Sequence, residues 1–153
     1  MLGPMRVHAV RLTPGTDLEE ELERLTQALG LGAGCILTCV GSLVRARLRM
    51  PGAIGEPEVF RTFDEPMEIL SLTGTLGPDG GHLHIALARR DGGCVGGHLA
   101  RGCMVNTTAE LVIGDLPELE FSRPPDPATG YDELSVRERA SNAAAGRPNY
   151  RRS

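Results

Sequence analysis

The sequence has no lysine and no tryptophan, and aromatic residues make up only 3% of its 153 residues. Its core must therefore be aliphatic, because hydrophobic residues still account for 41% of the chain. No run of 18 apolar residues occurs, which excludes a membrane-spanning helix. The N-terminus lacks the apolar block and cleavage site of a signal peptide. We therefore expect one domain of ordinary size, located in the cytoplasm.

Several chemical signatures are also missing. The sequence has no P-loop, no GxGxxG segment and no Ser-His-Asp order, so it gives no sign of a nucleotide site or a hydrolase triad. The four cysteines include no CxxC pair, which argues against a cysteine metal site. Without an export signal, we expect them to be reduced and buried. They are Cys35, Cys39, Cys94 and Cys103.

Charge is unevenly distributed along the chain. The net charge is −4, but residues 136–153 hold five arginines and one acid, a balance of +4 that leaves −8 for the rest. An acidic body repels a polyanion, so nucleic-acid binding would depend on local arginines. The strand face that carries three of them is either solvated or contacts an anion or a subunit. The candidates are Arg45, Arg47 and Arg49 on that face, and Arg147, Arg151 and Arg152 near the C-terminus.

The clearest helix signal follows the first strand-like run. A leucine stripe at helical spacing extends from Leu18 to Leu29. Thr16 or Asp17 supplies a cap at its start, and Gly30 supplies a stop at its end. This pattern predicts one amphipathic helix near the N-terminus.

Residues 34–123 consist of short alternating runs separated by glycine- and proline-containing turns, which predicts a mainly antiparallel sheet. The apolar pattern stops after Phe121. We therefore expect a domain over residues 1–134 and a flexible, arginine-rich tail over residues 135–153. Removing residues 136–153 is then expected to leave the fold and the assembly unchanged.

Three of the four histidines occur in matching contexts, since "GGHLHIAL" contains His82 and His84 and "GGHL" contains His98. Residues two apart on a strand share a face, about 7 Å apart, so two imidazoles can converge on one ion. A third histidine on a neighbouring strand leaves one position for water, as in catalytic zinc sites. The glycine pairs permit another backbone to approach closely. The alternative is that His82 and His84 are ordinary half-exposed strand residues and that His98 is a loop residue near a glycine bulge. We expect His8 to be a surface residue.

Two glutamates interrupt apolar strand runs and are the candidate acid–base groups. Glu68 lies in "MEILSL" and Glu110 lies in "TTAELVI". Either would serve as a proton shuttle beside a metal-activated water. The alternative for each is a buried acid with a satisfied partner. The sequence does not decide between an enzyme and a binding protein.

Seven segments, taken together and in order, resemble the plants-and-prokaryotes-conserved (PPC) domain. They are "RLTPGTDL", "AGCILTCVGSL", "RLR", "EILSLTGTL", "GGHLHIAL", "DGGCVGGHLARGCMVNTTAELVI" and "TGYDEL". The resemblance runs from about Arg6 to Leu134. It implies an α/β (α+β) fold with a mainly antiparallel sheet flanked by helices, assembled as a homotrimer. For its histidine-bearing members it implies a metal ion at or near the subunit interface, held by residues matching His82, His84 and His98.

Plant members of that family carry an AT-hook, an Arg-Gly-Arg-Pro element that enters the DNA minor groove. The sequence has no such element ahead of the resembling region. Its "EPMEIL" retains only Glu68, Ile69 and Leu70 of the plant Gly-Arg-Phe-Glu-Ile-Leu stretch. Near the C-terminus, Arg147 stands in a Gly-Arg-Pro triplet preceded by Ala145, which is an incomplete AT-hook core.

Three functional hypotheses follow. The first is a homotrimer that binds a divalent ion through His82, His84 and His98, with a position for water or a small-molecule ligand. Zinc is the expected ion, with nickel and iron as alternatives. The second is a DNA-associated regulator that uses the arginines of three subunits together. The third is a scaffold with neither ligand. In each, a glycine-rich sheet with few aromatics favours a trimer, because burying a sheet face between subunits compensates for a small core.

Overall fold

The computed structural model describes residues 3–139. One α-helix and eleven β-strands follow one another in this part of the chain. They are β1 (Arg6–Leu12), α1 (Leu18–Ala28), β2 (Gly34–Arg49), β3 (Phe60–Phe63), β4 (Met67–Leu76), β5 (His82–Ala88), β6 (Cys94–Leu99), β7 (Met104–Asp115), β8 (Leu119–Ser122), β9 (Pro125–Asp126), β10 (Tyr131–Asp132) and β11 (Ser135–Glu138). None of the described helical segments is long and apolar enough to cross a membrane.

Seven of the strands form one antiparallel sheet in the order β1-β7-β2-β4-β5-β6, with β3 paired to β2. The end of β2 also pairs with β6, so β2, β4, β5 and β6 form a closed ring of pairings. The mainly antiparallel sheet predicted from the sequence is confirmed. The expectation of several flanking helices is wrong for the described residues, which contain α1 alone. Most connections between strands are turns too short for a helix, and the longest, residues 50–59, contains two prolines.

The long strand β2 makes the closure possible. It pairs with β4 and β7 along its first part and with β3 and β6 at its end, and its ladder with β7 is bulged between Gly41 and Leu43. Gly41 has φ +148°, and a Cβ there would collide with the carbonyl oxygen of Thr108. Glycine therefore bends the strand without ending it.

The helix α1 forms as the leucine stripe predicts. The Asp17 carboxylate accepts the main-chain N–H groups of Glu19 and Glu20 at 3.1 and 3.2 Å, which caps the first turn. Its other oxygen accepts the N–H of Gly102 at 2.6 Å and so fastens the helix start to the chain just before β7. Leu22 is fully buried, whereas Leu29, at the C-cap, is 39% exposed.

The core is a single aliphatic cluster on the inner face of the sheet, as the composition predicts. Alternation along β5 illustrates how it is built, because Leu83, Ile85 and Leu87 are buried while His82 and His84 point outward. The side chains that face outward from this strand are therefore free to form a site on the surface.

The four cysteines are free thiols. Cys39 and Cys103 are buried, and burial raises the pKa of each thiol to about 11. Cys35 is half-buried and Cys94 is exposed, so the expectation of burial holds for only two of the four.

The C-terminal boundary lies further along the chain than the sequence predicts. Ser135–Glu138 forms β11 and pairs antiparallel with β8, with Val136 opposite Phe121. The N–H of Arg139 donates to the carbonyl oxygen of Glu118 at 2.8 Å. Residues 135–139 therefore belong to the folded body, because main-chain pairing rather than apolar periodicity holds them. Arg147, Arg151 and Arg152 lie outside the described residues.

Candidate metal centre

The three histidines are brought together by the strands that close the ring. His82 and His84 are two apart on β5 and share its outer face. His98 lies on β6 directly opposite His84, and it also pairs with Arg49 at the end of β2. The ring centroids are 5.1 Å apart for His82 and His84, 5.2 Å for His82 and His98, and 5.5 Å for His84 and His98. The sequence prediction that these residues lie together is confirmed.

Glycines allow the strands to approach at this point. A Cβ at Gly97 would stand 2.7 Å from the carbonyl oxygen of Arg49, and one at Gly96 would stand 2.8 Å from that of Ile85. Gly74, with φ +140°, faces the carbonyl of His82 so closely that a Cβ would collide with it. The glycines before His98 thus permit the close backbone approach that the sequence indicates.

The ring nitrogens converge on one point. His82 Nε2 and His84 Nε2 are 3.3 Å apart, and the ligand atoms of the three histidines all lie within 4.8 Å of one another. A tetrahedral zinc ion with Zn–N bonds of about 2.05 Å places its ligand nitrogens about 3.3 Å apart. Three imidazoles are a donor set that suits zinc and neighbouring divalent ions. The residues present therefore fit such an ion.

Two of the three rings are held in the form that binds a metal. Burial, followed by the charge of Arg49, lowers the pKa of His98 to about 4. Burial, followed by the neighbouring His84 and Arg123, lowers the pKa of His82, and the Glu133 carboxylate acts in the opposite direction. Both rings are therefore neutral at pH 7, as coordination requires.

One buried polar atom of the site has no partner within the described part of the chain. His98 Nδ1 is shielded from solvent and makes no hydrogen bond there. An imidazole nitrogen left unpaired in a desolvated position is costly. The ring of His98 is therefore not held by a protein hydrogen bond at that atom.

The three histidines line a cleft of about 760 Å³, which we call the histidine cleft. Its other lining residues come from 49–53, 56–59 and 131–133, together with Asp79, Gly81, Gly96, Gly97 and Arg123. The guanidinium of Arg49 lies 5.4 Å from the ring centroid of Tyr131, which links the first of these segments to the last. The cluster thus opens onto a volume large enough for a small molecule.

Neither glutamate predicted as a proton shuttle reaches the histidines. Glu68 is exposed and lies five residues along β4 from Thr73, the residue opposite His84, a separation of about 16 Å. Glu110 is exposed on β7, opposite Arg11 and Val40. The expectation that either acid acts beside the histidines is therefore wrong, because the order of strands places both positions away from the pairing of β5 with β6. The alternative of a buried acid is also wrong, because both side chains are exposed.

The strand arginines share an outward face, as predicted, and each has a partner within the chain. Arg45 forms an ion pair with Asp64 at 3.2 Å. The guanidinium of Arg47 lies over the ring of Phe60, 4.0 Å from its centroid. Arg49 pairs with Glu58. Arg45 and Arg49 are therefore ion-paired with acids that flank β3, and Arg47 contacts an aromatic ring of β3.

The fourth histidine lies outside the cluster. His8 on β1 is half-buried, with Nε2 3.9 Å from an Asp115 carboxylate oxygen. The side chain of His8 is 29% exposed, so this histidine remains partly at the surface. Sequence reasoning did not place Arg123 or Glu133 beside the histidines, because both lie in a stretch without a periodic apolar pattern.

A mostly antiparallel sheet with one helix and a surface cluster of three histidines defines a small α+β domain with a candidate metal site. The chain belongs to the Plants and Prokaryotes Conserved (PCC) domain family, whose model matches residues 2–117. It is 48% identical over 134 residues to the bifunctional protein GlmU of a Synechococcus species, covering 88% of this chain. It is 29% identical over 126 residues to AT-hook motif nuclear-localized protein 25 of Arabidopsis thaliana, covering 79% of this chain. The chain spans 21% and 42%, respectively, of those two proteins.

Solved structures share the fold. A hypothetical protein from Salmonella enterica superposes with a TM-score of 0.84 at 40% identity, covering 92% of this chain and 99% of that one. A metal-containing protein from Archaeoglobus fulgidus superposes with a TM-score of 0.75 at 26% identity, covering 85% of this chain and 93% of that one.

Proposed function

We propose that this PCC-domain protein binds a divalent metal ion through His82, His84 and His98 and presents it to the histidine cleft. The observation that carries the proposal is the convergence of three imidazole nitrogens within 4.8 Å of one another. Zinc is the ion that best suits three imidazoles, and nickel and iron are the alternatives. Three protein ligands leave one position for water or a small-molecule ligand.

Two further observations support the proposal. The lowered pKa values of His82 and His98 keep both rings neutral at pH 7, so an ion need not displace protons from them. The Archaeoglobus fulgidus structure of the same fold is described as a metal-containing protein. A bound ion would supply Lewis acidity and an activated water in the cleft. Glu133 is the candidate proton-transfer group of the cleft, because it lines the cleft whereas Glu68 and Glu110 do not.

The proposal includes a homotrimer. Large apolar side chains are exposed on β1, β2 and β4; β2 pairs directly with β4, and β7 lies between β1 and β2 in the sheet. A patch of this kind is typical of a protein-contact surface. We call it the apolar sheet face, formed by Val7 (57% exposed), Leu37 (46%), Val40 (58%), Val44 (44%) and Leu70 (56%).

A DNA-associated role is the second candidate function. It is supported by the relationship to an AT-hook motif nuclear-localized plant protein. The strand arginines favour it less, because Arg45 and Arg49 are already ion-paired. A gel-shift assay at about 0.15 M salt tests it, since binding to DNA phosphates at this ionic strength requires arginine side chains that are not already ion-paired. A shift that Arg47→Gln removes would favour DNA binding over the metal-centred function.

Elemental analysis of the purified protein tests the metal site. The wild type should carry about one equivalent of ion per chain after exposure to zinc and desalting. The His84→Ala, His98→Ala double variant should carry none, because a single remaining imidazole holds an ion weakly. His8→Ala, which removes the histidine outside the cluster, is the matched control and should keep its ion. Undiminished metal in the double variant would overturn the proposal.

A further inference from the structure

We propose that Arg123 is an anion anchor in the histidine cleft, which makes the ligand of the cleft a small molecule that carries an oxyanion. One end of that molecule contacts the ion and the oxyanion contacts the guanidinium. This inference rests on the proposed metal site, because the ion is the second anchor. It names a ligand class for the cleft and a binding residue that lies on neither histidine strand.

Arg123 is held beside the histidines by two neutral acceptors. Its Nη2 donates to Thr75 Oγ1 at 2.9 Å, and its Nη1 donates to the carbonyl oxygen of Asp132 at 3.4 Å. Thr75 is the direct partner of His82 in the β4–β5 ladder. Residues opposed in this way have Cβ atoms about 5 Å apart. The guanidinium is therefore fixed next to the histidine cluster before any ligand arrives.

The charge of Arg123 is not neutralised by a carboxylate among residues 3–139. Its side chain donates to a hydroxyl and to a carbonyl, while its main-chain N–H donates to Asp79 Oδ2 at 3.1 Å. A guanidinium has five N–H donors, so three remain for a ligand. Arg49, the other arginine of the cleft, is by contrast paired with Glu58. Arg123 is therefore the arginine in the cleft that is available to an incoming anion.

Three of the five acids that line the cleft are engaged, whereas the carboxylates of Asp132 and Glu133 have no partner among residues 3–139. Glu58 pairs with Arg49, and a Glu56 carboxylate oxygen accepts the N–H of Ala53 at 3.1 Å. Asp79 accepts the main-chain N–H of Arg123. These contacts reduce the repulsion that an entering anion meets, and a divalent ion on the histidines would reduce it further.

The chemistry of the guanidinium sets the ligand class. Its planar fork of N–H donors matches a carboxylate or a phosphate group through two parallel hydrogen bonds. A cleft that offers an ion on its histidines and a fixed guanidinium beside them selects a molecule with two oxygen-bearing groups a short distance apart. Small dicarboxylates and phosphate-bearing carboxylates share this arrangement.

Calorimetric titration of the zinc-loaded protein tests the inference with three probes of equal length. Succinate carries two carboxylates, 3-phosphonopropionate carries one carboxylate and one phosphonate, and succinamide carries no charge. Succinate or 3-phosphonopropionate should bind and succinamide should not, and the tighter of the two acids identifies which oxyanion the cleft prefers. Arg123→Gln should weaken binding of the preferred acid about tenfold or more while zinc content stays unchanged.

Two variants complete the design. Thr75→Val keeps the charge of Arg123 but removes the hydroxyl that holds it, so it should weaken binding less than Arg123→Gln does. Arg90→Gln removes an exposed arginine in the β5–β6 turn, outside the cleft, and should leave binding unchanged. Equal affinity of the zinc-loaded wild type and Arg123→Gln would overturn this inference alone. Failure of the wild type to take up zinc would overturn the proposed function and this inference with it.

Discussion

His84 on β5 and His98 on β6 are direct partners in the sheet, and their imidazole centroids lie 5.5 Å apart. His98 is also the partner of Arg49, where β6 meets the end of β2. The histidine cluster therefore lies on the seam that closes the ring of strands. A change that opens this seam should also disperse the three imidazoles, which couples the fold to the site.

Gly97→Ala should weaken both stability and metal binding. The added Cβ would stand 2.7 Å from the carbonyl oxygen of Arg49, so β6 must move away from β2 and carry His98 with it. We expect a loss of about 1–3 kcal/mol in the free energy of unfolding, typical of overpacking, and weaker zinc binding. Urea denaturation and competition with a zinc chelator measure the two effects. Gly52→Ala, where the nearest atom to a Cβ is 3.7 Å away, is the control that should change neither.

The metal-free protein should lose stability as the pH falls from about 6.5 towards 4. Burial lowers the pKa of His98 to about 4 in the folded protein, whereas an unfolded chain protonates this ring near pH 6.5. Between these values the unfolded state binds more protons, so acid favours it. Chemical denaturation in the presence of a chelator, repeated across this range, measures the slope. His98→Gln should flatten it, and an unchanged slope would contradict the assignment to His98.

Bound zinc should be released when the pH falls below about 6.5. Protons and the ion compete for the same imidazole nitrogens, so the occupied fraction must fall as the rings become protonated. The lowered pKa values of His82 and His98 place much of that loss below the ordinary histidine range. Equilibrium dialysis at fixed zinc concentration, with pH as the variable, measures the release. Occupancy that stays constant down to pH 4 would argue against histidine ligands.

Val40→Arg should disrupt the proposed trimer. Val40 is 58% exposed on the apolar sheet face, and a charge there would lose its hydration if that face were covered by another subunit. Light scattering at micromolar concentration should find a trimer for the wild type and smaller species for the variant. Ile54→Arg is the matched control, because Ile54 is 70% exposed but lies in the β2–β3 connection, off the sheet. A wild-type monomer would exclude the trimer.

Chains that end at residue 134 should be less stable than chains that end at residue 139. The five residues between these ends include β11, which pairs with β8, and the hydrogen bond from Arg139 N–H to the Glu118 carbonyl. Losing several such hydrogen bonds should lower the free energy of unfolding by about 1–3 kcal/mol. Thermal denaturation of the two truncated proteins, compared with the full chain, measures the difference. Equal melting temperatures would support the sequence prediction that the domain ends at residue 134.

Local signals in the sequence were sufficient for much of the fold. The leucine stripe that starts at Leu18, with a cap at Thr16 or Asp17, predicted α1, because helix periodicity and capping depend on neighbours along the chain; the structure places the cap at Asp17. Alternation placed His82 and His84 on one face of β5 for the same reason. The glycines before His98 indicated a close strand approach, because only a residue without a side chain tolerates it.

Contacts between distant residues were decided by the tertiary structure alone. The pairing of Arg49 with His98 closes the ring of strands, and Arg123 reaches the histidines through Thr75, 48 positions away in the sequence. The prediction that Glu68 or Glu110 lies beside the histidines was wrong. The pattern around each acid indicates that it lies on a strand, but it does not indicate where that strand lies in the sheet. Periodicity fixes which face a side chain occupies, whereas strand order and closure fix its neighbours. The histidines were therefore found from the sequence, and the cleft around them only from the fold.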